Sequence, residues 1–156
     1  MIGQSTGMPL IYLDTCCFNR PFDDLLQDRV RLECEAVLSI IAHGEQGKVI
    51  LLGSDILVDE ISNIPHPIKR LKVLQLYRAT TDHIEINDHI ILRAEALMGM
   101  TSLLAFDALH LASAEYVNAT ALLTTDKKFL NNAARCDTPI KVKNPITWLM
   151  EVNGDA

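Results

Sequence analysis

The chain has 156 residues, the length of one ordinary domain, and it can bury a core without disulfide staples. With 49% apolar, 22% charged and only 5% aromatic residues it reads as globular, with a core that must rest on aliphatic side chains. A formal net charge of −6 argues against a passive nucleic-acid binder that neutralises phosphates, though not against an enzyme that uses acids to hold a cation.

Residues 9–13 form a short apolar run bounded by Pro9 and Asp14, the pattern of a buried strand. Asn19, Arg20 and Pro21 are expected in a loop. The stretch FDDLLQDRVRLECEAVLSIIAHGEQGK then places Val30, Val37, Leu38 and Ile41 on one helical face with Cys34 between them, and Gly44 and Gly47 end it. A second buried strand covers 49–52, after which Gly53 turns and Ser54 caps a helix over DILVDEISNI. Pro65 and Pro67 break that helix. IKRLKVLQLYRAT is a third helix, with Leu71, Leu74 and the Tyr77/Arg78 region on alternate faces. DHIEIN alternates as a short strand with Ile84 and Ile86 on one side. Asn87 or Asp88 caps HIILRAEALMGM, and a break near 99–102 leads to the Ala-rich helix AFDALHLASAEYVNA. TALLTT is another buried strand, ending at Asp126. KKFLNNAARC is a short helix, IKV a last small strand, and PITWLMEV a closing helix with Pro145 at its start.

Short apolar strands alternating with helices predict an α/β fold, a parallel sheet covered on both faces. No repeat, low-complexity tract or linker interrupts it, so one domain is expected over 1–156, with a core over about 9–150. No run reaches the roughly 18 apolar residues of a membrane span. The N-terminal stretch MIGQSTGMPL has no basic region and no long apolar run, so no signal peptide and a cytoplasmic protein are expected.

In open parallel sheets the ligand crevice lies beyond the carboxyl ends of the strands. Asp14 and Asp126 each follow a strand at that rim. Glu60, one turn into the helix after the second strand, can reach back over it. Asp107 stands near the start of the Ala-rich helix, where Ala105, Ala108, Ala112 and Ala114 allow close packing on the sheet. Taken singly, an Asp after a strand is an ordinary helix cap, and a lone helical Glu is ordinarily solvated. Gathered on one rim, such acids repel and raise one another's pKa values. A hard divalent cation, Mg²⁺ or Mn²⁺, relieves that cost, and an all-carboxylate site without His or Cys favours those ions over zinc. The matching substrate is a phosphate ester.

Asp55 and Asp59 compete with Glu60 for the helical role. Asp59 points about 100° away from Glu60, and Asp55 sits in the first turn, where it serves the helix dipole. Cys16, Cys17, Cys34 and Cys136 form no C-x-x-C pair and read as small buried hydrophobes; Cys16 and Cys17 have no His partner in sequence for a thiol mechanism. The five histidines show no H-E-x-x-H or comparable ligand pair. Near the rim, Arg20, Lys127 and Lys128 are candidate phosphate contacts, with Asn19 and Thr125 or Thr124 as candidate hydrogen-bonding partners, although exposed Lys and Arg are ordinarily just solvated. The apolar faces of helices 67–80 and 88–100 are read first as core packing and second as surfaces for a partner.

Three passages in order, LIYLDTCCFNRP, LLGSDILVDEI and FDALHLASAEYVNATALLTTDKKFL, resemble the PIN-domain family, from about Pro9 to Trp148. The third is the most specific, with a D-A-L-x-x-A helix, a strand, T-x-D and a short helix. Position by position, the resemblance puts the family's acids on Asp14, Glu60, Asp107 and Asp126. It implies a three-layer α/β/α sandwich around a short, mostly parallel sheet. It also implies one or two Mg²⁺ or Mn²⁺ ions at those acids and phosphodiester cleavage, most often of RNA, with 5′-phosphate and 3′-hydroxyl products. Many small members are the toxin of a toxin–antitoxin pair, usually a homodimer neutralised by a small antitoxin. The alternative is a degenerate PIN-like domain that binds RNA or a protein without cutting. A receiver or aspartyl-phosphatase domain is disfavoured, since no D-x-D-x-T follows the first strand, and a mononucleotide binder lacks its Gly-rich loop.

Overall fold

The computed structural model describes residues 7–154. Most of the N-terminal stretch read for a leader, and both ends of the expected domain, lie outside the described residues. The elements are β1 Leu10–Leu13, α1 Thr15–Asn19, a 3-10 turn Arg20–Phe22, α2 Asp28–Glu45, β2 Ile50–Ser54, α3 Asp55–Ser62 and α4 Pro67–Tyr77. There follow β3 Asp82–Ile84, α5 Asp88–Met100, α6 Ala105–Tyr116, β4 Ala121–Leu123, α7 Lys127–Ala133, β5 Lys141–Lys143 and α8 Pro145–Val152.

All strand pairs are parallel, in the order β3-β2-β1-β4-β5. Ile11 of β1 stands between Leu51 of β2 and Ala121 of β4. Every residue of β1, β2 and β4 is buried, which requires cover on both faces and gives the α/β/α sandwich. The chain builds outward from β1 through β2 to β3, then returns to the other side of β1 for β4 and β5. The order therefore reverses between β1 and β4, and the carboxyl ends of those strands open a crevice there. Among the described residues no helix is long and apolar enough to cross a membrane.

Several local expectations are revised. Asn19 ends the helix α1, and Arg20 and Pro21 lie in the 3-10 turn instead of a loop; α1 starts because the Asp14 side chain accepts from the Thr15 amide and Cys17 N donates to the Asp14 carbonyl, while Cys17 and Phe18 turn into the core. Gly53 lies inside β2. A Cβ there would stand 2.5 Å from the Tyr77 hydroxyl, which accepts from Ser54 N at 3.0 Å, so the close approach of Tyr77 requires glycine. Ser54 and Asn87 do cap α3 and α5, accepting from Leu57 N and Ile90 N. α5 continues through Gly99, and β4 ends before Thr124. Leu38 faces solvent, and the inward face of α2 carries Ala36 and Ile40 beside Val30, Val37 and Ile41. On α4, Val73 is buried while Leu71 and Leu74 are exposed; Ile86 beyond β3 is exposed as well.

The inward face of α2 also carries Glu33, whose side chain is 0% exposed. A buried carboxylate must be paired. Arg20 Nη2 lies 2.8 Å from Glu33 Oε1, Arg29 Nε 3.3 Å from Oε2, and Asn144 Nδ2 donates to Oε2. Asn144 also caps α8 through the amide of Ile146. One acid thus ties the 3-10 turn, α2 and α8 together. Glu33→Ala is expected to cost about 2 kcal/mol, because a buried acceptor is lost while both arginines keep partial access to water. Urea unfolding followed by circular dichroism measures this; an unchanged midpoint would remove the cluster from any account of stability.

Candidate functional site

Asp14 lies buried at the carboxyl end of β1. Its Oδ1 accepts from Thr15 N at 2.7 Å, and its Oδ2 accepts from Thr124 Oγ1 at 2.8 Å. The half-buried thiol of Cys16 donates to the same Oδ2 at 3.3 Å, and Thr125 N donates to the Cys16 sulfur at 3.3 Å. The carboxylate is therefore pinned between the ends of β1 and β4, at the reversal point of the sheet.

Glu60 reaches this place from α3. Its Oε1 accepts from Thr15 Oγ1 at 2.6 Å and from His110 Nε2, while its Oε2 takes no hydrogen bond among the described residues. His110 on α6 is completely buried. Its Nδ1 meets the Tyr12 hydroxyl, which lies 2.7 Å from Ser54 Oγ. His110 Nε2 is also 3.5 Å from Asp14 Oδ1. Asp14, Glu60 and His110 each present a ligand atom, all within 4.8 Å of one another.

Asp107 precedes His110 by three residues on α6, so the two share a face. Its carboxyl is pushed up to about 7, first by burial and then by the charges of Asp14, Asp126 and Glu60, with His110 opposing. Asp107 thus feels the charge of the other three acids across one rim. Asp126 is exposed there and caps α7, accepting from Lys128 N at 2.9 Å. Burial would raise Glu60, but the hydrogen bond and charge of His110, with Thr15, hold it below its ordinary value. Burial would lower His110, yet Glu60, Asp14 and Asp107 lift it above its ordinary value.

Of the three helical acids only Glu60 turns to this rim. Asp55 ties α3 to the β3 side, 2.7 Å from His83 Nε2 and accepting from Ile86 N at 2.8 Å; Asp59 is exposed. Arg20 is bound to Glu33 and Asp23. Thr125 is buried and Lys127 exposed at the start of α7. Asn19 is half-buried at the end of α1, and its Oδ1 is buried without a hydrogen bond.

The expectation of a cluster without histidine is corrected by His110. The signal was present in D-A-L-H, where i and i+3 fall on one helical face, but a search for paired histidines passes over a single one. Cys17 is a packing residue, as expected, while the Cys16 thiol belongs to the Asp14 network. The convergent oxygens, a Glu60 Oε2 without a hydrogen bond among the described residues and the crowded negative charge are compatible with a bound divalent metal ion.

The PIN-domain family model matches residues 11–135. Among solved structures, that of VapBC2 from Rickettsia felis, bound to a DNA fragment from their promoter, has a TM-score of 0.58 at 14% identity, covering 86% of this chain and 98% of that chain. That likeness is one of fold. No curated protein matches the chain.

The crowding has a pH signature in protein stripped of divalent ions. Asp107 ionises near 3.8 when unfolded and near 7 when folded. The folded state therefore holds the extra proton between those values, and stability falls as pH rises through that window. Water screens a half-exposed carboxyl, so only part of the shift reaches stability. Asp107→Asn is expected to melt about 2–4 °C above wild type at pH 8, the shift that about 1 kcal/mol produces in a chain of this size, and with it below pH 4. Scanning calorimetry at the two pH values checks this; equal melting at pH 8 would deny the crowding.

Proposed function

This chain belongs to the PIN-domain family, and from that premise we propose that it hydrolyses phosphodiester bonds, as an Mg²⁺- or Mn²⁺-dependent endoribonuclease. The observation that carries the reading is the crowding of Asp14, Glu60 and Asp126 on Asp107 at the carboxyl rim of the sheet, beside the convergent oxygens of Asp14 and Glu60. Such crowding costs stability in the bare protein and is relieved by a cation.

In this reading the four acids hold the cation. A bound divalent ion supplies charge neutralisation on the phosphate and lowers the pKa of a water molecule. Asp14 provides a rigid carboxylate, because Thr15 fixes Oδ1 while Thr124 and the Cys16 thiol fix Oδ2, which leaves the second lone pair of Oδ1 for a cation. Glu60 offers Oε2. No side-chain nucleophile is required. Lys127 and Lys128, exposed beside Asp126, contact the RNA backbone, with Thr125 and Asn19 lining the approach. Arg20 reaches a phosphate only by leaving Glu33 and Asp23, so the lysines carry more of that role.

The same reading makes the protein a single-domain, cytoplasmic member of toxin type, a homodimer neutralised by a small antitoxin. Exposed apolar residues on α4 (Ile68, Leu71, Leu74) and α5 (Leu92, Met98, Met100) support a protein partner over pure core packing.

Asp14→Asn and Asp107→Asn are each expected to lower RNA cleavage by more than about 100-fold, beyond the 10–100-fold typical of outer-shell losses, with the fold retained by circular dichroism. Chelation should abolish wild-type cleavage and Mn²⁺ restore it. An Asp107→Asn protein that cuts RNA at the wild-type rate sinks the assignment, and a wild-type protein that binds no Mn²⁺ in calorimetry is a degenerate binder instead.

A further inference from the structure

We infer that His110 is a positioning residue: a buried hydrogen-bond chain starting at the α3 backbone aims its Nε2–H at Glu60, pinning one carboxylate oxygen and leaving the other for a divalent cation. The inference rests on the metal-dependent reading above and assigns roles to Tyr12 and Ser54, which that reading does not use.

The chain runs in one direction. Leu57 N donates to Ser54 Oγ at 3.0 Å. The Ser54 hydroxyl keeps its own hydrogen and points it at Tyr12, whose oxygen lies 2.7 Å away. Tyr12 passes its hydrogen to His110 Nδ1. A neutral ring then carries its remaining hydrogen on Nε2, which faces Glu60 Oε1. Each hydroxyl donates once and accepts once. An imidazolium would donate through Nδ1 as well and turn Tyr12 into an acceptor, so the direction from Ser54 belongs to the neutral ring.

Burial makes the device rigid. Tyr12 and His110 are 0% exposed and Ser54 1%, so water does not compete for these bonds. The Tyr12 and His110 rings pack edge to face, with centroids 5.4 Å apart at 66°. At the far end Thr15 Oγ1 donates to the same Oε1 at 2.6 Å. Two donors on one oxygen fix a flexible glutamate and aim Oε2 away from both. Judged by distance alone, the proximity of Nε2 to Asp14 and Glu60 would make His110 a ligand. Ligation through Nε2 needs the ring hydrogen on Nδ1; Tyr12 would then have to donate to Ser54, and the buried Ser54 hydrogen would lose its acceptor among the described residues. The chain opposes that arrangement and favours an outer partner of the kind that orients ligands.

The test uses the full chain, freed of metal. Long-range ¹⁵N–¹H spectra of the wild-type histidines, recorded at a pH where the His110 ring is neutral, should show its hydrogen on Nε2; a neutral ring with its hydrogen on Nδ1 overturns the inference. Calorimetric titration with Mn²⁺ should show binding weakened about 10–100-fold in Tyr12→Phe and His110→Gln. The weakening should vanish when Tyr12→Phe is placed on Glu60→Gln, as a cycle of coupled residues requires. Tyr12→Phe keeps the ring and serves if His110→Gln does not fold. Wild-type affinity in Tyr12→Phe, or an equal loss with and without Glu60, overturns the inference while leaving the metal reading in place. A wild-type protein that binds no Mn²⁺ overturns both.

Discussion

The carboxylate of Asp14 is held where β1 and β4 end side by side, and the surrounding structure depends on that attachment. Its Oδ1 starts α1 by accepting the Thr15 amide, and its Oδ2 receives Thr124 from the neighbouring strand. Starting α1 turns Thr15 toward Glu60, sends Phe18 into the core and brings Cys16 over the carboxylate. Capping and site chemistry are therefore not rival roles for this residue. A cap uses one lone pair of an oxygen, and a carboxylate has several.

Two acid-centred clusters in this chain solve the same problem differently. Glu33 is fully buried and surrounded by Arg20, Arg29 and Asn144, so its charge is matched and its oxygens satisfied. Such a cluster joins elements and has no need of a ligand. At the strand rim, Asp14, Glu60 and Asp107 face one imidazole, and Asp126 adds its charge at Asp107. The excess appears at Asp107, the acid raised to about 7. The same residue type is structural in one place and, in the proposed reading, a cation ligand in the other, because the local balance of charge differs.

The polar chain from Ser54 to His110 adds a second constraint. It crosses beneath the rim from the end of β2, through β1, to α6, and every member is buried. Polar atoms in such a place must be fully paired. The pairing leaves little freedom in the ring, and the ring leaves little freedom in Glu60. Tyr77 works similarly from α4: its approach to the Ser54 backbone is why glycine stands at position 53.

The strands, their burial, the caps Ser54 and Asn87 and the order of the four acids were legible in the chain, because each depends on residues close in sequence: apolar runs, turn residues, an acid after a strand. The helix after Asp14 was not, since TCCFN has no strong helical preference and forms because its cap is locked to β4. The inward turn of Glu33 was hidden for the same reason, as its partners lie in distant segments. Arg20 looked free in sequence and is bound in the fold. His110 looked solitary and is bonded to both Tyr12 and Glu60. Sequence by itself determined which elements form and which acids sit at their ends, because those are local properties of spacing and burial. Only the tertiary structure decided which charges are matched, because a pKa and a hydrogen-bond direction are set by neighbours that the chain brings together from far apart.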